Sequence, residues 1–330
     1  MKRTLLLLTI AAVSLTSRLS AQITYLTDTT NIVYVSYSES AVSLSMASNV
    51  KDYVNVSTDG TDVTITQSTS VSDATGEIIY ALSGSCADGS FTLDGSYKCT
   101  VELHGLTLTN PTGPALNILN KKRVELSSKK ETVSTLTDGK STTADAWKGA
   151  LQCKGHLEFK GKGTVNIYGN YAHGIWAKEY IEVKNCTINV LSAVKDAINC
   201  NQYFMMESGM VNLSGFADDG IQVSLKTDDT SAENTGNFSL SGGTINIDMT
   251  EASGESVKAE GVATVAKTAN LNITGTGSAV ENINKNDSGS TIDVYSPIGI
   301  HIGTFQSVGH ATQQLPRGIY ILSTGKKIAL

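Results

Sequence analysis

A short segment recurs through the middle of this chain at a nearly constant spacing. Its five copies are Gly149–Cys153, His173–Ala177, Asp196–Cys200, Asp219–Val223 and Glu255–Ala259. The steps between them are 25, 23, 23 and 36 residues, measured at equivalent apolar positions: Ala150, Ile175, Ile198, Ile221 and Val257. A fixed period of this length is typical of stacked repeats, which place equivalent side chains in columns.

Each repeat also carries two short runs of alternating apolar and polar residues. Ile181–Val183 and Ile188–Val190 form one such pair, separated by a turn at Asn185. Strict alternation over a few residues predicts strands with one buried face. Because a propeller blade needs about 40 residues, a period of 23 favours an all-β chain folded as a parallel β-helix. The longer steps indicate polar insertions at Lys129–Trp147 and Thr227–Asn237.

The first 21 residues have the pattern of a secretory signal peptide. Lys2 and Arg3 precede an apolar run that is too short to span a bilayer. We therefore predict a protein that is secreted or on the cell surface and has no transmembrane segment. Without Lys2, Arg3 and Arg18 the chain keeps 22 basic and 31 acidic residues, a net charge of −9. This acidic balance argues against nucleic acid as a partner.

The mature chain contains five cysteines, an odd number that leaves at least one unpaired. We expect mostly buried thiols, with a pair between Cys86 and Cys99 as the alternative. The cysteines show no CxxC spacing, so the sequence gives little support for a zinc site.

One column of the predicted stack is acidic. It contains His173, Asp196, Asp219 and Glu255, with Asp218 beside Asp219. Neighbouring strands lie about 4.8 Å apart, where two carboxylates repel by about 3.5 kcal/mol at an effective dielectric of about 20. A cation relieves this repulsion, and several hard oxygen ligands favour Ca²⁺ over the geometrically stricter Mg²⁺. We predict a calcium site at Asp196, Asp218, Asp219 and Glu255, with an ion-free, solvated acidic rim as the alternative.

Lysines accompany these acids at Lys195, Lys226 and Lys258. Ordinary ion pairing with the acidic column is one interpretation. The other is catalytic, with a lysine of lowered pKa removing the proton next to a uronate carboxyl group while calcium stabilises the enolate.

A second column consists of asparagines, each lying between two inward-facing apolar residues: Asn166, Asn189, Asn212, Asn246 and Asn272. An outward row of amides offers repeated donors and acceptors to an extended polysaccharide. The alternative is a self-satisfied asparagine ladder that stabilises the stack. The carbohydrate hypothesis covers the first four of these asparagines together with His173 and Trp176. Other aromatic residues near the same corners are also candidates for stacking on sugars: Trp147, Tyr168, Tyr171 and Tyr180.

Seven segments in order resemble those of secreted bacterial carbohydrate-binding domain-containing proteins: Ala81–Ser85, Asp88–Phe91, Gly105–Asn110, Thr135–Gly139, Gly161–Val165, His173–Lys178 and Asp218–Gln222. The resemblance extends from about Ile32 to Gly277. It implies a pectate-lyase-like, right-handed parallel β-helix that binds plant-type acidic polysaccharides, especially pectic ones, with calcium. It does not imply catalysis.

The acidic column is also similar to the calcium site of family-nine pectate lyases. Asp196, Asp218 and Asp219 match three of the family's four calcium positions, and Lys258 lies where the catalytic base is expected. The fourth position is Gln222 in this chain, which departs from the acid of the lyases. The resemblance thus keeps polysaccharide β-elimination by Lys258 as an alternative to binding without catalysis. A structural surface protein or adhesin is the second alternative.

These observations divide the chain into four segments. After the signal peptide, residues 22–110 are expected to cap and begin the β-helix, and residues 111–290 to form the carbohydrate-binding β-helix. Residues 291–330 change character and predict hairpin strands. This tail resembles the C-terminal sorting segment of Bacteroidetes type IX secretion. We expect the protein to be a monomer.

Overall fold

The computed structural model describes residues 22–227, 229–275, 283–285, 292–297, 300–305, 311, 314–316, 318–322 and 327–329. The predicted signal peptide, residues 1–21, lies outside the described residues. The described chain consists of β-strands and their connections, with a short 3₁₀ turn at Ser48–Val50 and helical backbone at Ala311 and Gln314. Within it, no helix has the length and apolar character needed to cross a membrane.

The strands follow one another through the described residues with short connections. The first nine are β1 (Ile23–Leu26), β2 (Ile32–Tyr37), β3 (Val42–Ala47), β4 (Val54–Asp59), β5 (Asp62–Gln67), β6 (Ile78–Cys86), β7 (Ser90–Asp94), β8 (Cys99–Thr109) and β9 (Leu116–Ile118). The next nine are β10 (Val124–Ser128), β11 (Val133–Thr137), β12 (Gly149–Cys153), β13 (Leu157–Gly161), β14 (Thr164–Tyr168), β15 (His173–Ala177), β16 (Ile181–Val183), β17 (Thr187–Ser192) and β18 (Ile198–Asn201).

The repeats continue through β19 (Tyr203–Met206), β20 (Met210–Leu213), β21 (Ile221–Ser224), β22 (Asn237–Leu240), β23 (Thr244–Asp248), β24 (Val257–Ala259), β25 (Ala263–Val265), β26 (Asn270–Thr274) and β27 (Ile283–Lys285). The last strands are β28 (Ile292–Tyr295), β29 (His301–Phe305), β30 (Ile319–Leu322) and β31 (Lys327–Ala329).

Parallel pairing between successive repeats organises the fold. From β12 to β26, each repeat contributes one strand to a nine-stranded sheet and two strands to an eighteen-stranded sheet. In the nine-stranded sheet β12, β15, β18, β21 and β24 lie side by side in that order. Ile175 pairs with Ile198 and Ile198 with Ile221, which confirms the 23-residue step. Leu151 pairs with Ile175, so the predicted phase residue Ala150 was wrong by one position.

The first repeats start from antiparallel pairs. β2 pairs with β3 and β4 with β5 in antiparallel fashion, before β6 and β7 enter the parallel stack. The tail forms a separate four-stranded sheet, in the order β29, β28, β30, β31, whose described pairs are antiparallel. Val294, Ala311 and Leu322 are buried against each other there. The hairpin strands predicted for the tail are therefore present in its described part.

The alternating apolar residues of the repeats fill one continuous core. Phe204 and Phe238 occupy equivalent positions on β19 and β22, are fully buried, and stack with ring centroids 5.4 Å apart. The five cysteines are free and buried, which excludes the alternative of a Cys86–Cys99 disulfide in this structure. Burial raises the pKa of the Cys99 and Cys153 thiols to about 12, so both remain protonated at neutral pH.

Candidate functional site

The acidic column forms at one edge of the nine-stranded sheet because each acid lies two residues before the strand that follows it. Asp196 precedes β18, Asp219 precedes β21 and Glu255 precedes β24. The backbone N–H of Asp219 donates to Asp196 Oδ1 at 3.2 Å, and that of Glu255 donates to Asp219 Oδ1 at 2.7 Å. Each of these two aspartates thus accepts a hydrogen bond from the backbone of the next repeat, which fixes one carboxylate oxygen. The other oxygen accepts from a side chain, Asn199 for Asp196 and Lys258 for Asp219.

The structure brings three of the four predicted calcium ligands together. Carboxylate oxygens of Asp196, Asp218 and Asp219 all lie within 4.8 Å of one another. Asp196 and Asp219 are each 1% exposed, whereas Asp218 is exposed. Glu255 is next in the column but does not belong to this cluster. Its peptide N–H, rather than its carboxylate, makes the contact with Asp219 described above.

Electrostatic interactions within the cluster distinguish its members. Burial and the neighbouring charges of Asp219 and Asp196 raise the pKa of Asp218. Burial also opposes ionisation of Asp196, but the nearby His173 and a 2.8 Å hydrogen bond from Asn199 hold the pKa of Asp196 below its ordinary value. The Nδ1 atom of His173 is buried and lies 3.2 Å from Asp196 Oδ2, but the two atoms are not aligned for a hydrogen bond.

Asp196 and Asp218 line an open cleft of about 550 Å³. Lining residues include Val194, Lys195, Ala217, Gln222 and Ser253. Gly254 leaves the space over the carboxylates open, because a Cβ at this position would lie 2.7 Å from Asp218 Oδ1 and even closer to Asp219 Oδ1. A larger residue there would push these carboxylates out of their present positions.

Lys258 lies beside the cluster rather than within it. Its Nζ donates to Asp219 Oδ2 at 3.1 Å, and this hydrogen bond raises the pKa of Lys258. A lysine that acts as a base at neutral pH needs a lowered pKa. The contact therefore fits the ion-pairing interpretation of this lysine better than the catalytic one. Lys226, the third lysine of the sequence prediction, pairs elsewhere, with Glu179 at 2.7 Å.

A row of outward side chains crosses the nine-stranded sheet next to the acids. Trp176, Asn199, Gln222 and Lys258 pair in consecutive strands, and each lies three residues after its member of the acidic column. Gln222 Oε1 accepts a 3.0 Å hydrogen bond from Asn199. Sequence reasoning singled out Trp176, Gln222 and Lys258 but missed Asn199. The repeat period alone identifies it, since it is equivalent to the other three.

The asparagine column forms a hydrogen-bonded ladder, which is one of the two interpretations that the sequence left open. Asn166, Asn189, Asn212, Asn246 and Asn272 pair in register on β14, β17, β20, β23 and β26. Each amide from Asn189 onward donates to the preceding oxygen, at 2.7–2.8 Å. The ladder uses one N–H of each donating amide, so the role of these residues in carbohydrate binding stays a prediction.

Most of the other aromatic candidates have structural contacts. Trp147 is 7% exposed, donates from its indole nitrogen to Asp138 at 2.7 Å, and packs on Tyr171. Tyr180 is 8% exposed and stacks between other rings. Tyr168 is 37% exposed, and Trp176 is partly exposed on the row beside the acids. These two rings remain accessible to a sugar.

A family model of carbohydrate-binding domain-containing proteins matches residues 59–313. The chain belongs to this family. A search of curated proteins found no match. A solved structure, a gadolinium derivative of the polysaccharide lyase-like protein from C. thermocellum, is similar with a TM-score of 0.57 at 17% sequence identity. The alignment covers 77% of this chain and 97% of that one, which shows a common fold.

Proposed function

We propose that this family member is an exported, right-handed parallel β-helix that binds an acidic extracellular polysaccharide, of pectic type, through calcium. The observation that carries the proposal is the cluster of Asp196, Asp218 and Asp219, two of which, Asp196 and Asp218, line one cleft. The family match supports a carbohydrate ligand, and the leader of residues 1–21 supports export. Two anionic partners, an acidic cleft and an acidic polymer, attract one another only through a cation between them.

The residues fit calcium on three grounds. Carboxylate oxygens are the ligands that this hard cation prefers. Two of the three aspartates are almost fully buried, and close carboxylates repel by about 3.5 kcal/mol per pair at 4.8 Å and an effective dielectric of about 20. Gly254 keeps open the space next to Asp218 and Asp219. Asp196, Asp218 and Asp219 would hold the ion, and its remaining positions would accept polymer oxygens.

The polymer is proposed to lie along the row formed by Trp176, Asn199, Gln222 and Lys258. An indole ring can pack on the apolar face of a sugar, and amide side chains both donate and accept hydrogen bonds. His173 lines the same cleft. The row is continuous over four adjacent strands, so neighbouring sugars of an extended chain would meet equivalent positions.

The test is a calorimetric titration of calcium into the mature protein and its variants. We expect the wild type to bind calcium and Asp196→Asn to lose most of that affinity, because a buried ligand charge disappears. Asp94→Asn, an exposed acid on β7, is the control and should bind normally. Thermal unfolding without calcium will separate a folding defect in Asp196→Asn from a loss of the site. Equal calcium binding by wild type and Asp196→Asn would contradict the proposal.

Incubation with polygalacturonate separates the alternatives. A lyase releases unsaturated uronides, whose ultraviolet absorbance would grow with time and disappear in Lys258→Ala. The pairing of Lys258 with Asp219 favours binding without this signal. A purely structural protein or adhesin would gain thermal stability from calcium and would not retain polygalacturonate.

A further inference from the structure

Beside the three carboxylates, the cleft carries a cationic side chain that the proposed calcium site does not use. Lys195 is exposed and lines the cleft next to Asp196. Lys258 is engaged by Asp219 at 3.1 Å.

The backbone of Lys195 is held firmly against the repeat that carries the acids. Its N–H donates to the carbonyl of Ala172 at 2.9 Å. Its own carbonyl accepts from the N–H groups of Ala217 and Asp218, at 3.2 and 3.4 Å. The side chain therefore starts from a fixed point beside Asp218, and a group bound at the carboxylates lies within reach of a lysine.

The neighbouring residue gives this position a second property. Val194 is 53% exposed and lines the same cleft. An exposed apolar side chain directly before a lysine offers a surface for the C–H face of a sugar ring, next to a cation for its substituent. A uronic acid residue can use both side chains at once, since its ring has a C–H face and carries a carboxylate as a substituent.

The proposed cation offsets two of the three carboxylate charges, and Lys258 is paired with Asp219. Lys195 adds a further positive charge at the cleft, which favours a free uronate over its uncharged ester. Electrostatic complementarity of this kind sets specificity more than affinity.

We propose that Lys195, with Val194 beside it, is the residue that selects free uronate over esterified or neutral sugars in this cleft. This inference rests on the proposed function. The inference adds the residue that binds the uronate carboxylate. It also predicts that esterification of the polymer weakens binding at this residue.

The experiment compares polygalacturonate with highly methyl-esterified pectin of similar chain length, both at fixed calcium and low ionic strength. In Lys195→Gln, we expect affinity for polygalacturonate to fall about fivefold, the upper range for an exposed ion pair, with little change for esterified pectin. Lys195→Arg, which keeps the charge, should restore most of the preference. Lys178→Gln is the matched control, because Lys178 is an exposed lysine that follows β15, whereas the acids and Lys195 precede their strands.

Calcium binding without polymer is measured in parallel on each variant. If Lys195→Gln takes up calcium and keeps the full preference for polygalacturonate, the assignment of Lys195 is wrong and the calcium site stands. A similar loss in Lys178→Gln would also overturn the assignment, because it would point to bulk charge. If the wild type takes up no calcium, the proposed function fails and this inference fails with it.

Discussion

The asparagine ladder allows a quantitative prediction, because its members differ in the number of hydrogen bonds that they make. Asn212 donates to Asn189 at 2.7 Å and accepts from Asn246 at 2.7 Å. Asn272 is described with one such bond, to Asn246. A neutral hydrogen bond contributes about 0.5–1.5 kcal/mol net. Asn212→Ala should therefore cost about 1–3 kcal/mol, and Asn272→Ala about half as much.

The assay is equilibrium unfolding in urea, with the free energy of unfolding extrapolated to water for wild type and both variants. An unchanged slope would show that the variants expose the same surface on unfolding. Equal costs for Asn212→Ala and Asn272→Ala would contradict this prediction, because the hydrogen bonds of the ladder would then not contribute additively. Weaker polysaccharide binding in Asn212→Ala at unchanged stability would instead assign the row to carbohydrate recognition.

Three further predictions concern the core, the cleft and an insertion. Phe204→Ala should lower the free energy of unfolding by about 3–5 kcal/mol, since the ring is fully buried against Phe238; a loss below about 1 kcal/mol in urea unfolding would contradict the packing. Gly254→Ala should weaken calcium binding about tenfold or more, because its Cβ would crowd Asp218 Oδ1; calorimetry showing wild-type affinity would argue against this position for the ion. Hydrogen bonds from Gln202 and from the segment that follows Asp229 hold the pKa of Asp229 below its ordinary value. The ionised form of Asp229 therefore stabilises the fold above about pH 4, and this contribution is lost as the pH falls. Melting temperatures measured across this pH range should therefore fall less in Asp229→Asn than in the wild type, and parallel curves would refute the assignment.

Much of the architecture could be predicted because the repeat is encoded locally. The alternation around Asn189 and Asn212 fixes which face each strand buries, and the step of 23 residues fixes which residues pair. The acidic column was predictable for the same reason, since Asp196 and Asp219 occupy equivalent positions in adjacent repeats. The error at Ala150 arose where the repeat follows a long insertion, and its true equivalent is Leu151.

The remaining features depend on contacts that a repeat pattern does not contain. Glu255 shares the column, but the segment before it also places Gly254 against Asp218 and Asp219, so its backbone meets the cluster and its carboxylate stays outside it. Trp147 is an aromatic residue of the kind that stacks on sugars, yet its indole N–H donates a hydrogen bond to the buried Asp138. Neither outcome follows from spacing, because each depends on how the segment between two strands folds against the stack.

Calcium-mediated binding is tested most directly by retention of the mature protein on immobilised polygalacturonate in calcium and in a chelator. We expect retention in calcium, release by the chelator, and no retention of Asp196→Asn or Asp219→Asn in either buffer. Retention that persists in the chelator, or that the two aspartate variants share with the wild type, would contradict calcium-mediated binding at the acidic cleft.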